Sequence, residues 1–149
     1  MEVYRIANCK FINDISGKGA ALYGGRWNSK NTYIVYTAES RALALLETVV
    51  HIGKMPEVGF CIAGIFIPDN SIEIYKSDIL PDGWDRNPPP DHLKKIGDCF
   101  IEANKYLALK IASVLMPEDH NILLNPAHKD FAKVKIVTTR NIRIDERLV

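Results

Sequence analysis

The chain has 149 residues, 47% of them hydrophobic, which is the size of one ordinary domain with enough apolar material for a core without metal or covalent staples. Nineteen basic residues against eighteen acidic ones leave a formal charge of +1, so the electrostatic excess that phosphate-backbone binders carry is missing and nucleic acid is a poor first candidate for a ligand. Cys9, Cys61 and Cys99 are odd in number, far apart and without CxxC spacing. They suggest neither a disulfide framework nor a zinc site, and a reducing cytoplasm is expected. "MEVYRIANCK" lacks the basic and apolar regions of an export signal, and no apolar run approaches 18 residues, so no membrane association is expected.

In chain order, "EVYRIA" alternates and is rich in β-formers, which predicts a strand with Arg5 among apolar neighbours. Residues 13–31 are polar and glycine-rich and read as loop, with a helical turn around Ala20. "TYIVYTA" (32–38) predicts a second strand. From Ser40, "SRALALLETVVHIG" has an N-cap serine, strong helix formers and Gly53 as a stop. "GFCIAGIFIP" (59–68) reads as a buried strand ended by proline and "SIEIY" (71–75) as another. Residues 77–91, "SDILPDGWDRNPPPD", are loop, and the length suits a lid or docking surface. "HLKKIGDCFIEANKY" predicts an amphipathic helix with Leu93, Ile96 and Phe100 on one face. "LALKIASVLMP" predicts a strand, "EDHNILLNPAHKDF" a loop, and "KVKIVTTRNIRI" the last strand. No repeat or linker divides residues 1–149, so a single domain is expected. Strands outnumber helices without alternating with them, which predicts an α+β fold rather than a doubly wound sheet.

The standard nucleotide motifs fail. Gly17 and Gly19 begin a GxG, but position 22 is leucine, and there is no GxxxxGK[ST]. His51, His92, His120 and His128 show no metal spacing. Any phosphate grip must therefore come from arginine, and Arg26 follows a glycine pair in "YGGRWN", where the backbone has room to approach a ligand. Glu47 projects from a helix face shared with Leu43, Leu46 and Val50. A carboxylate on an apolar face needs a partner, a task or a path to solvent. Ser113 interrupts the row Leu107, Leu109, Ile111, Leu115 on one strand face, and a buried serine that bonds a nearby carbonyl would look the same. Tyr36 reads as a half-buried strand tyrosine, and Asn121 and Asn125 around two leucines before a proline read as a turn.

Taken together, Arg5, Arg26, Glu47 and Ser113, with the stretches "YRI", "GGRWN", "VYTAES" and "SVLMPEDHNILLNPAHKDF", make the whole chain resemble the RES-domain family, named for its arginine, glutamate and serine. One departure is "GDCFIEA", where the family often has a tryptophan after the "GD". The resemblance implies an ADP-ribosyltransferase-like fold, a mixed, largely antiparallel split sheet with flanking helices. It also implies the toxin of a bacterial toxin–antitoxin pair whose partner is an Xre-like helix-turn-helix protein, with a homodimer left open. Family members consume NAD without metal, by hydrolysis or phosphorolysis of the nicotinamide bond, and some transfer ADP-ribose to a protein; a catalytically inactive interaction module is the alternative. The site residues it implies are Glu47, Arg5 and Ser113 for catalysis and Arg5, Arg26, Tyr36, Ser113 and Asn125 for NAD. In that reading Glu47 would bond a ribose hydroxyl and offset oxocarbenium charge, the arginines would hold the pyrophosphate, and Tyr36 would stack on nicotinamide.

Overall fold

A computed structural model describes residues 1–54 and 57–149. Its secondary structure is an α+β arrangement of seven strands and three α-helices among the described residues. The strands are β1 (Glu2–Asn8), β2 (Val35–Ala38), β3 (Phe60–Phe66), β4 (Ile72–Tyr75), β5 (Ala108–Ala112), β6 (His120–Leu124) and β7 (Lys135–Ile142). The helices are α1 (Lys18–Tyr23), α2 (Arg41–Ile52) and α3 (Lys94–Ala103). All seven strands join one sheet in the order β4-β5-β6-β2-β1-β3-β7, antiparallel except for the β4–β5 pair.

Apolar clusters lie on both faces. Val3, Ala63, Ile65, Ala108, Ile122 and Leu124 belong to one. Ile34, Leu109, Ile111 and Leu123 belong to the other, with Leu93 and Phe100 of the α3 segment packed over them. Burial on two sides explains why β3 reads as a continuous apolar run instead of an alternating one. The helix from Ser40 forms as expected: the Ser40 side chain accepts from the Leu43 N–H, and Gly53 follows the last turn with φ 69°.

The sheet is barely joined at its centre. β1 runs in full register with β3 from Glu2↔Phe66 to Asn8↔Phe60, but meets β2 at the single pair Tyr4↔Ala38. Beyond that pair the two strands diverge, leaving Arg5 and Ile6 facing Tyr36 and Thr37 across a gap that becomes a cavity. α2 begins three residues after β2 and lies over this junction, with Leu43 and Ala44 packed on Ala38, Tyr4 and Ile6.

Three sequence expectations are corrected. Residues 120–124, expected within a loop, are β6, paired on both sides with β2 and β5. Its alternation was masked because Ile122 and Leu124 face one core cluster while Leu123 faces the other. Cys9 and Cys61, expected to be unpaired, form a disulfide with Cα atoms 4.8 Å apart. The β1–β3 register sets Ala7 opposite Cys61, and the Cys9 N–H donates to the Gly59 carbonyl, so residues 52 apart in sequence become neighbours. The inference from free thiols to a reducing compartment therefore does not carry. Finally, Leu46 and Val50 on α2 are substantially exposed, so the core side of that helix is Leu43, Ala44 and Val49. No helix among the described residues is long and apolar enough to cross a membrane.

Gly97 shows how closely α3 approaches the loop that carries Arg26. A Cβ there would collide with the backbone carbonyl of Trp27, whereas one on Gly19 of α1 would meet nothing within 4 Å. Gly97→Ala should therefore destabilise the fold by about 1–3 kcal/mol through overpacking. Gly19→Ala should leave it unchanged or raise it by up to about 1 kcal/mol. Denaturant melts of the two variants against the parent check both.

Candidate active site

The cavity at the split has a volume of about 630 Å³. β1 contributes Tyr4, Arg5 and Ile6, β2 contributes Tyr36, Thr37 and Ala38, and the loop after α1 contributes Gly24, Gly25, Arg26 and Trp27. From α2 come Ala44, Glu47, Thr48 and His51, spaced i, i+3, i+4 and i+7 on one helical stripe. Asn121 of β6 closes the inner wall, and Asn87 enters from the long loop.

Glu47 is fixed from across the sheet. Its Oε1 accepts from Ser113 Oγ at 2.7 Å and from Asn121 Nδ2 at 2.7 Å. Ser113, fully buried just past the end of β5, holds its own hydroxyl in place. Its oxygen accepts from the N–H groups of Leu115 (3.1 Å) and Met116 (3.4 Å), so the single hydroxyl proton points at Glu47. Asn121 pairs with Ala38 on one side and Ile111 on the other, which aims its amide at the same oxygen. The carboxylate is thereby oriented by two neutral donors, and no cation is spent on it.

Both arginines reach the cavity, each with one nitrogen already engaged. Arg5 Nη1 donates to the carbonyls of Phe11 and Ile12, at 3.2 and 2.9 Å. Arg26 Nη1 donates to those of Trp84 and Arg86, at 2.9 and 2.8 Å. Burial pulls both guanidinium pKa values below the ordinary arginine range, more than offsetting the opposing pull of Asp14 on Arg5 and of Glu47 on Arg26. Arg26 thus ties the proline-rich segment to the glycine loop, and Trp27 stacks on Trp84 with ring centroids 6.5 Å apart. Of the segment 77–91, read from sequence as a lid or docking surface, Asn87 lines the cavity, and the contacts at Trp84 and Arg86 anchor it to the glycine loop.

Tyr36 braces the same loop. Its hydroxyl accepts from the Trp27 N–H at 3.3 Å and donates to Asn28 Oδ1 at 2.7 Å. Asn28, fully buried, in turn donates to the carbonyls of Ala20, Ser29 and Thr32. Burial raises the Tyr36 pKa well above that of a free phenol. A Cβ on Gly25 would lie 2.8 Å from that hydroxyl, so the second glycine of the pair is required by Tyr36.

Asn125 lies elsewhere. It is fully buried, with Nδ2 donating to Asn104 Oδ1 and Oδ1 accepting from the Ala127 N–H, and it does not line the cavity. Asn125 is the first residue after β6, four positions beyond Asn121, which is about 13 Å along an extended chain. The asparagine that touches Glu47 is therefore Asn121, which sequence reading took for part of a turn. Its sequence signal was a polar residue directly before the apolar run Ile122–Leu124. His51 was also missed as a lining residue, because nothing in a lone histidine near a helix end marks a cavity. Among the described residues, no three His, Cys, Asp or Glu side chains cluster as a metal site.

Comparison with known proteins bears on this arrangement. The family described as RES domain matches residues 2–145. The chain belongs to the RES-domain family. It is 38% identical to the protein named Toxin Res of Photorhabdus laumondii, over all of this chain and 97% of that one. It is 39% identical to the Prs ADP-ribosylating toxin of a Sphingobium strain, over 92% and 88% of the two chains. A second Toxin Res, from Yersinia enterocolitica, is 38% identical over 88% of each chain. Among solved structures, a chain of the M. tuberculosis MbcT–MbcA toxin–antitoxin complex aligns with a TM-score of 0.74 at 15% identity, covering 95% of this chain and 83% of that one. That likeness shows the fold, the ADP-ribosyltransferase-like α+β sheet with flanking helices expected of this RES domain.

Tyr36→Phe separates bracing from stacking, since phenylalanine keeps the ring and loses the hydroxyl. The variant should lose about 1–3 kcal/mol of stability, because buried Asn28 Oδ1 and the Trp27 N–H lose their shared partner. Tyr33→Phe, at a half-exposed position, should change stability by less than about 0.5 kcal/mol. Urea melts of both variants read the difference.

Proposed function

We propose that this RES domain is a toxin that cleaves the nicotinamide–ribose bond of NAD, and that an Xre-like antitoxin neutralises it in the cell. The observation that carries the reading is the Glu47 carboxylate, turned into a cavity and held there by Ser113 and Asn121. Nicotinamide leaves as a neutral molecule from a cationic ring, so the leaving group needs little acid help, and the barrier lies in the positive charge that develops on the ribose. A preoriented carboxylate stabilises that charge without reorganising as it forms. With its Oε1 occupied by two donors, Glu47 would present Oε2 to the ribose. Arg5 and Arg26, each with Nε and Nη2 outside the bonds described above, would bind the pyrophosphate oxygens.

Transfer of ADP-ribose to a cellular protein is the second reading, favoured by the name of the Sphingobium relative. Purified protein incubated with NAD and no added metal should release nicotinamide. A rate that depends on added phosphate would indicate phosphorolysis, and label from NAD appearing in a protein band would indicate transfer. Unchanged NAD after long incubation with antitoxin-free protein overturns the reading.

Glu47→Gln keeps the shape and removes the charge, so kcat should fall by two to four orders of magnitude, about 3–5 kcal/mol, with NAD binding largely kept. A folded variant retaining more than about a third of the parent kcat removes Glu47 from the mechanism. Arg26→Lys should instead raise KM, because one ammonium cannot both hold the Trp84 and Arg86 carbonyls and offer a planar pair of donors to pyrophosphate. The same variant should be cut faster within residues 77–91 under limited proteolysis.

A further inference from the structure

We infer that His51 is the general base that takes the proton from the group attacking the ribose, and hence that the acceptor is a neutral hydroxyl, water or an alcohol, rather than a phosphate anion. This rests on the reading of the cavity as an NAD site. His51 stands one helical turn beyond Glu47 on α2 and lines the same cavity. Its Nδ1 lies 2.6 Å from the backbone carbonyl of Glu47. A carbonyl can only accept, so Nδ1 carries the hydrogen. In the neutral ring the lone pair is then on Nε2, and the link to the residue that faces the ribose fixes which nitrogen is free.

The other ionisable groups around the cavity are poorly suited to this task. Arg5 from β1 and Arg26 from the glycine loop are guanidinium donors, and Tyr4 from β1 and Tyr36 from β2 present phenol hydroxyls. The Tyr36 phenol is further committed to Asn28 and Trp27. Glu47 must stay ionised while the ribose is cationic, and its Oε1 already accepts two hydrogen bonds. Among the described residues lining the cavity, His51 alone has an imidazole, the side chain that changes charge between pH 5 and 8.

The step balances simply. The acceptor oxygen forms a bond to C1′ of the ribose as the C1′–N bond breaks. The bonding pair returns to the ring nitrogen and leaves neutral nicotinamide, and the acceptor's proton passes to His51 Nε2. Protonated His51 releases it to solvent, which it can reach because the residue is exposed at the cavity edge.

His51→Gln tests this, since glutamine is polar and neutral but takes up no proton. With folding verified by a melting curve, nicotinamide release in water should fall about a hundredfold. NAD affinity should hold. Azide is an anionic nucleophile that needs no base, so adding it should restore the rate of His51→Gln by about tenfold or more, with ADP-ribosyl azide as product. It should do little for the parent protein and should not rescue Glu47→Gln, whose defect is in stabilising the ribosyl cation. A folded His51→Gln protein that keeps more than a third of the parent rate, or whose loss azide does not relieve, overturns the role of His51 while leaving the NAD reading intact. A parent protein that releases no nicotinamide overturns both.

Discussion

The structure depends on one break in its sheet. β1 and β2 are joined at Tyr4↔Ala38 alone, and every group of the candidate site is placed relative to that break. A sheet in full register would bring the backbones of β1 and β2 within about 5 Å of each other and leave no room for a ligand. Here β1 is held instead by its seven pairs with β3, and β2 by its four with β6, so each half keeps its own ladder on either side of the gap. α2 bridges the halves from above. It leaves β2 through the Ser40 cap and packs Leu43 and Ala44 onto residues of both strands, which places Glu47 over the opening.

From there the site is built by cross-chain hydrogen bonds that each serve two purposes. Ser113 uses its lone pairs to hold the turn after β5 and its proton to hold Glu47. Arg26 directs part of its guanidinium to two loop carbonyls and so ties the segment 77–91 to the glycine loop. Tyr36 and Asn28 lock that glycine loop from beneath, and Asn28 passes the constraint on to the carbonyls of Ala20, Ser29 and Thr32. Buried polar groups left without partners are costly, so a network of this kind resists partial disassembly. Among the described residues no buried side-chain nitrogen or oxygen lacks a partner. The proposed chemistry asks for that property, because a carboxylate that must not move during reaction is best held by groups that cannot easily move either.

The arginines illustrate a constraint on such sites. A guanidinium buried at the edge of a cavity loses solvation, which is why the pKa of both is depressed, and the backbone carbonyls each one meets replace part of the lost water. That satisfaction uses Nη1 in both cases and leaves the remaining donors for an anion. In the proposed reading the site is therefore charged and oriented before NAD arrives, without a glycine-rich helix start of the kind that nucleotide motifs provide.

Much of this was written locally. The cap at Ser40, the stop at Gly53, the strand of "GFCIAGIFIP" and the α+β balance follow from propensity and periodicity, which act over a few residues. The grouping of Arg5, Arg26, Glu47 and Ser113 was accessible only through likeness to a family, since no spacing along the chain relates residues up to 108 apart. Tertiary structure alone decided the rest. It made 120–124 a central strand because β2 and β5 flank it, set Asn121 against Glu47, and joined Cys9 to Cys61 through the β1–β3 register. It also turned His51 toward the carboxylate's cavity. In each case the deciding contact is between residues distant in sequence or depends on how a strand pair diverges. Such contacts are set by the packing of whole elements against one another, which no local window of sequence encodes.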